Sequence, residues 1–590
     1  MLAIRTPGGQ AKRWRAGGQT VTQRILVLHR LDLQAAALLA GQLARSGVDD
    51  TIEVTVLDPV LHTYAIANGL PQVRMLDLPG CAGDAAEAAA RALAAARLLS
   101  GQADDLMAEL IPQARGAAWC TFWHRTLHTT VYGCRSAARA LAQATPNDTV
   151  HLLLPDAPLR YGYHSFVPGL MFYEGLRGAG RAPKLYVNPL PAIDAPMLPD
   201  PLSAPQGLAV DLLCHLPTCF GDGPLFTAEL RASGRSVLVM PSQVYDVATD
   251  GLARCTLVPA EQLAARLPAA QRSALEALLD RLSTLLVEQL QPLLSSTRML
   301  HSQVKALVEG YRLNALMFTA LQAQFGDRPP RTLLISNHDV GLHGAFISFA
   351  RLHGLSTVMV PHAKIFNSVV PSYGHDVLCL THALQGGEVI DLDGYRMPTG
   401  TLDFAQPLRM DPAPAKPLAV LGIVLNAVSA KALCLVDMAT YLGGLRRLLA
   451  WCRAQGVECR IRCRPNGSLL SVLSASLDVS TDDLIAFQQG SLVEFAAGCE
   501  LVVGYDVPTS GVLDLLAQGI PVLQALCRRL EPEERRIVDA SVVPLLSVDQ
   551  ALQRLAGFVA DPLALWTFRR EQQTKLAQAS AGAQPLRAWL

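Results

Sequence analysis

Short apolar runs alternate with segments of helical period along most of the chain, and this rhythm predicts layered α/β structure with mainly parallel strands. The opening is a βαβ pattern: a strand at Arg24–Leu28, a helix over Asp32–Ser46 and a second strand at Ile52–Leu57. No Gly-x-Gly-x-x-Gly turn joins them, so they carry no dinucleotide fingerprint. Residues 82–145 have an Ala-rich helical period and a His/aromatic cluster at Trp119–Tyr132. Strands follow at Val150–Leu154, Leu185–Val187 and Val237–Met240. The Pro-rich stretch 189–206 is expected to be a long surface loop, and 259–325 two or three amphipathic helices. Three closely spaced strands come next, at Thr332–Ser336, Thr357–Val360 and Val377–Leu380.

A Pro-rich linker at 406–417 interrupts the rhythm, which restarts with a strand at 418–425, a helix at 436–453, a strand at 458–463 and a helix near 490–497. Leu501–Leu523 is the most informative segment. An apolar strand, Leu501–Val503, is expected to break at Gly504 and turn through Pro508, Thr509, Ser510 and Gly511 into a helix over Val512–Gln518. Gly519 stops that helix, and a strand follows Pro521. Two small hydroxyl residues and a glycine thus stand where a helix N-terminus exposes unpaired N–H groups. Such an end seats a phosphate as readily as it serves as an ordinary N-cap.

Composition narrows the functional classes. The chain has 590 residues, 50% of them hydrophobic, enough for two or more domains with substantial cores. Formal net charge is +0, so nothing global attracts nucleic acid or an anionic membrane. The 13 cysteines lack CxxC or Cys/His ligand spacing and read as small core residues in a reducing compartment, with no metal site. No apolar run reaches transmembrane length. Residues 1–21 hold Lys12, Arg13 and Arg15 without a following apolar core and are expected to be a disordered leader.

Polar residues gather where the predicted strands end, the edge at which open parallel sheets bind ligands. Ser336-Asn337-His338-Asp339 follows one strand, Pro361-His362-Ala363-Lys364 the next, and Gly400-Thr401-Leu402-Asp403 closes the region. A histidine such as His362 suits general-base work on a hydroxyl, and a nearby carboxylate such as Asp339 either orients it or acts itself. His338, His343 and His353 fit packed loops and helix faces. Arg462 and Arg464 alternate at the end of the strand 458–463, and an arginine fork matches phosphate oxygens, Arg464 beside the turn being the better placed. Asn426 and Ser429 either cap a helix or face the cleft. Upstream, Pro155-Asp156 and the loop Arg160-Tyr161-Gly162-Tyr163-His164 form another strand-to-loop junction.

Three segments, in order, resemble the elements of GT-B glycosyltransferases that build bacterial capsule, lipopolysaccharide and teichoic-acid-type polymers. Thr357–Ala363 is similar to that family's strand followed by Gln-His-Gly, here Pro-His-Ala. Arg462-Cys463-Arg464-Pro465 resembles its Arg/Lys-x-His-Pro element, with arginine for histidine. Pro508–Asp514 with Gly519-Ile520-Pro521-Val522 resembles Ser-Thr-x-Gly-x-Glu-Ala followed by Gly-x-Pro-Val, with Asp514 for glutamate. The resemblance covers about residues 331–525.

What the resemblance implies is two Rossmann-like domains facing across a cleft. An enlarged acceptor-side domain would span 22–405, the linker 406–417, a nucleotide-sugar-binding domain 418–560 and a helical tail 561–590. Donor ligands would be Arg464, Arg462, Thr509, Ser510, Gly511 and Asn426, with His362 or Asp339 as catalytic base. Asp156, Tyr161, Tyr163 and His164 would shape the acceptor side. The implied reaction is inverting sugar transfer to a hydroxyl of a surface polysaccharide or glycolipid, without metal or cofactor. The implied setting is cytoplasmic, with possible peripheral membrane contact and no nucleic-acid partner. A CDP-polyol phosphotransferase or sugar-nucleotide epimerase of the same fold, and a non-catalytic polysaccharide-assembly protein, are the alternatives.

Overall fold

The computed structural model describes residues 21–46, 50–78, 84–114, 127, 132–155, 159–161, 164–166, 168–188, 196–205, 207–216, 223–242, 251–292, 297–336, 342–360, 376–380, 398–402, 415–425, 438–463, 469–530 and 538–590. The expected leader, most of the Trp119–Tyr132 cluster and nearly all of the 406–417 linker lie outside them.

Three parallel sheets form the frame, each from strands whose apolar residues are covered on both faces. The first sheet uses β1 (Thr22–Val27), β2 (Thr51–Val56), β3 (Val73–Met75), β4 (Thr149–Pro155) and, after a short antiparallel hairpin of β5 (Leu159–Tyr161) and β6 (His164–Phe166), β7 (Lys184–Asn188). Its order is β3-β2-β1-β4-β7. Next, β8 (Met197–Asp200) leaves the sheets and precedes β9 (Leu212–His215), β10 (Val237–Val239) and β11 (Ala253–Arg254). β12 (Thr256–Pro259) then pairs antiparallel with β8. β13 (Thr332–Ile335), β14 (Ser356–Met359), β15 (Val377–Leu380) and β16 (Thr399–Thr401) complete a seven-stranded second sheet, β11-β10-β9-β13-β14-β15-β16. The third contains β17 (Val420–Leu425), β18 (Glu458–Arg462), β19 (Leu501–Tyr505), β20 (Val522–Leu526) and β21 (Leu545–Ser547), ordered β18-β17-β19-β20-β21.

The α/β class with parallel Rossmann-like sheets is therefore what the chain adopts. Within 22–405, however, two parallel sheets stand where one Rossmann-like sheet was expected. One continuous apolar core joins them, running from Leu26 and Leu152 in the first to Leu213 and Leu333 in the second. Two local expectations need correction. The Pro-rich stretch 189–206 holds the mostly buried strand β8, whose Asp200 accepts from Leu202 N–H at 3.1 Å and pairs with Arg266 at 2.8 Å. β19 runs through Gly504 instead of breaking there. A Cβ at Gly504 would lie 2.2 Å from Gln524 Oε1, so the glycine makes room for a neighbouring side chain and does not end the strand. The break comes at Asp506, a non-glycine residue with φ +64°.

Contacts among the described residues tie the third sheet's unit to the others at two ends. Helix Pro59–Ala67 of the first meets helix Leu470–Leu477 of the third, where Ser471 Oγ lies 2.9 Å from both His62 Nδ1 and Thr63 Oγ1. At the other end, helix Pro562–Ser580 packs on the third sheet's unit and the chain then crosses back to the second. There Gln584 N–H donates to Thr401 O at 2.9 Å and Leu586 and Leu590 enter the core under β9 and β14. Trp589 closes over Gly400, whose absent Cβ would sit 2.4 Å from the indole.

Candidate functional site

Each sheet reverses its strand order at one point, and the carboxyl ends flanking that point form a crevice. In the third sheet the reversal lies between β17 and β19, where Leu425 stands beside Tyr505 in register. Asn426 follows β17, Arg464 follows β18, and the Thr509–Gly511 turn follows β19, so the topology sends all three continuations to one edge. Asn426 and Arg464 themselves lie outside the described residues.

The turn after β19 is built from backbone constraint and close packing. Tyr505 is fully buried and its hydroxyl donates to Tyr441 O at 2.6 Å, anchoring the strand end. Asp506 then takes its left-handed conformation, which directs Val507-Pro508 toward the helix Ser510–Ala517. Thr509 is that helix's N-cap residue, extended at φ −116°, and its side chain makes no capping hydrogen bond. By contrast, Asp58, Ser480, Ser491, Ser547 and Asp561 all cap their helices through side-chain oxygens. The helix Ser510–Ala517 thus starts without a side-chain cap, while Val512 N–H turns back on Thr509 O at 3.2 Å. Gly511 has a packing reason as well, since a Cβ there would come 2.7 Å from Leu492 Cδ2.

Charge on this edge comes from a cluster that sequence reasoning missed. Asp506 Oδ1 accepts from Cys527 Sγ at 3.3 Å and faces Arg528 Nε at 3.3 Å. Burial, with Asp506 beside it, pushes the Cys527 thiol far up, so it stays protonated. The signal that would have found the cluster is the acidic residue directly after the strand Leu501–Tyr505, paired in register with the residues before Cys527.

Arg462, expected as a donor ligand, is engaged by backbone carbonyls. Its guanidinium donates to Phe487 O and Gln489 O at 3.0 Å each and to Gly490 O at 2.7 Å, and lies 5.7 Å from the Phe495 ring centroid. At 4% exposure it ties the end of β18 to the loop before Ser491. Of the two arginines, Arg464 is the one carried forward as a donor ligand.

On the second sheet, Asp339 follows β13 and His362 follows β14, adjacent parallel strands, although both residues lie outside the described ones. The reversal point there falls between β9 and β13, at the end of β9 where His215, a residue that sequence reasoning missed, stands. Its Nδ1 is 3.0 Å from Met240 O, which can only accept, so that nitrogen carries the proton and Nε2 is the lone-pair end. The ring stacks on Phe346 at 4.6 Å, and burial lowers its pKa to about 4. A four-residue strand, Leu212–His215, is too short to stand out by periodicity.

The residues expected on the acceptor side follow β4 of the first sheet in the chain. Asp156 and Tyr163 lie outside the described residues, while Tyr161 and His164 face each other in register across the β5–β6 hairpin. That sheet's carboxyl edge also carries two buried carboxylates. Asp32 accepts from Asn188 Nδ2 at 2.6 Å and is raised to about 6 by burial. Asp58 accepts from Val60 N–H at 2.9 Å and is raised to about 7, again by burial. Because folding lifts Asp58 from 3.8 to about 7, its contribution to stability is full below about pH 4 and gone above about pH 7. Asp58→Asn keeps the capping oxygen and removes the titration. Its unfolding midpoint, measured against the unmutated chain from pH 4 to 8, is expected to gain on it as pH rises. A constant difference across that range would show that Asp58 does not titrate with folding.

Among the described residues no group of three or more His, Cys, Asp or Glu side chains is arranged to hold a metal ion. Among them, too, no helix is long and apolar enough to cross a membrane.

No family model matches the chain, and no curated protein does. Solved structures similar to it include the glycosyltransferase SnogD from Streptomyces nogalater, at 15% identity over 64% of this chain and 97% of that one, with a TM-score of 0.33. The spinosyn rhamnosyltransferase SpnG complexed with thymidine diphosphate is 15% identical over 64% of this chain and 98% of that one, with a TM-score of 0.32. A putative UDP-N-acetylglucosamine 2-epimerase from Listeria monocytogenes is 8% identical over 63% and 94%, with a TM-score of 0.34.

Proposed function

We propose that this chain is a GT-B glycosyltransferase that moves a sugar from a nucleotide-sugar donor to a hydroxyl of a bacterial surface polysaccharide or glycolipid. The observation that carries the reading is the N-terminus of Ser510–Ala517, whose N-cap Thr509 makes no side-chain capping hydrogen bond, set at the reversal point of the third sheet. There the donor phosphates accept from the Ser510 and Gly511 amides and from the Thr509 and Ser510 hydroxyls. Arg464 adds a charged fork and Asn426 a polar contact from the neighbouring strand ends.

The chemistry follows from charge development. His362 takes the acceptor hydroxyl proton, with Asp339 orienting it or acting in its place. The acceptor oxygen attacks the anomeric carbon from the face opposite the nucleotide, and the bond to the phosphate oxygen breaks with its electron pair leaving on phosphate. Configuration inverts. The helix N-terminus and Arg464 stabilise the negative charge that grows on the leaving group, so no metal is required. Asp156, Tyr161, Tyr163 and His164 line the acceptor's approach. For a lipid-linked acceptor, the protein works peripherally at the cytoplasmic face of the membrane. The experiment that tests the reading is nucleotide binding by the full chain: one nucleotide class stabilises it, EDTA makes no difference, and Arg464→Ala abolishes the effect.

A further inference from the structure

A cavity lies at the opposite edge of the third sheet from the Thr509–Gly511 turn. Its volume is about 310 Å³, at the small end of ligand sites. Lys416 precedes β17, Glu500 precedes β19 and Pro521 precedes β20, so the cavity sits on the amino edge. β19 is five residues long, which puts the two edges about 15 Å apart. Trp566 and Arg569, three residues apart on helix Pro562–Ser580, complete the wall, with Ile520 and Leu565 supplying apolar surface.

The charges in this cavity are unbalanced. Arg569 Nε is shut off from solvent and has no hydrogen-bond partner among the described residues. Burying such a donor unpaired is costly, and an anion in the cavity removes the cost. Lys416 forms no ion pair among the described residues, and Glu500 uses one carboxylate oxygen to accept from Val420 N–H at 2.6 Å. Arg570, on the same helix, lies 5.7 Å from the Trp566 ring centroid.

We infer that this amino-edge cavity binds a small organic anion: a phosphate or carboxylate held by Arg569 and Lys416, attached to a planar or apolar body that packs on Trp566. This site does not depend on the donor reading, because it uses none of the same residues. Its position is suited to regulation. Lys416 lies where the chain enters the third sheet's unit, and helix Pro562–Ser580 lies on the path by which the chain returns to the second.

Calorimetric titration of the full chain with phenyl phosphate, benzoate and inorganic phosphate tests the inference. Phenyl phosphate or benzoate is expected to bind more tightly than inorganic phosphate. Arg569→Gln should weaken that binding by about 10–100-fold, the loss of one charge-assisted contact. Lys416→Gln, at an exposed position, should weaken it in the same direction without touching the core, and Arg464→Ala should leave it unchanged. Absence of binding at millimolar concentration would overturn the inference, as would binding that both Arg569→Gln and Lys416→Gln leave intact. Binding abolished by Arg464→Ala would assign the anion to the donor edge and equally overturn it.

Discussion

Arg462→Ala is expected to lower the stability of the chain by about 3 kcal/mol, with no direct loss of nucleotide affinity in the protein that remains folded. Arg462 is 4% exposed and its guanidinium serves three carbonyls, those of Phe487, Gln489 and Gly490. Truncation leaves those acceptors buried without a donor and also removes the contact with the Phe495 ring. Hydrogen bonds to a charged group contribute roughly 1.5–3 kcal/mol each, but three that share one side chain do not add fully. Lysine restores the charge without the fork, so Arg462→Lys should recover only part of the loss. Urea unfolding midpoints give the comparison. An unchanged midpoint accompanied by weakened nucleotide binding would return Arg462 to the donor site.

His362→Ala is expected to reduce turnover by about 10²–10⁴-fold while donor affinity stays nearly intact. The two effects are expected to separate because, in the proposed reaction, the imidazole acts on the acceptor's proton in the transition state, whereas Thr509, Ser510, Gly511 and Arg464, after strands of another sheet, hold the donor. Single-turnover transfer at saturating donor, with nucleotide affinity measured in parallel, reads the two quantities independently. A rate unchanged in His362→Ala would move the base to Asp339. Loss of donor affinity without loss of rate would contradict the assignment altogether.

The layer architecture was legible because parallel strands buried on both faces leave continuous apolar runs, as in Leu501–Tyr505 and Thr332–Ile335. The extra sheet was not. β9 is only four residues long and β3 only three, and runs so short do not announce which strands they join. Gly504 misled for a physical reason: a glycine can mean a turn or a close neighbour, and Gln524 lies 20 residues further along the chain, beyond a turn and a helix. In the candidate site, the Thr509–Gly511 turn was readable from residue type and from its place after a strand. The Arg462 role was not, because its acceptors are backbone carbonyls that carry no side-chain signature. Asp506 and Arg528 were missed for a related reason. They are 22 residues apart in the chain and meet only through the pairing of β19 with β20.

The most direct test of the donor site is a thermal-shift screen of the full chain against CMP, CDP, UDP, GDP and their sugar conjugates, with and without EDTA. A ligand at 100 times its dissociation constant adds about 2.7 kcal/mol, a shift of a few degrees. The account predicts stabilisation by one nucleotide class, insensitive to EDTA and absent in Arg464→Ala. Silence across the panel in a protein that unfolds cooperatively, or stabilisation that survives Arg464→Ala, would contradict it.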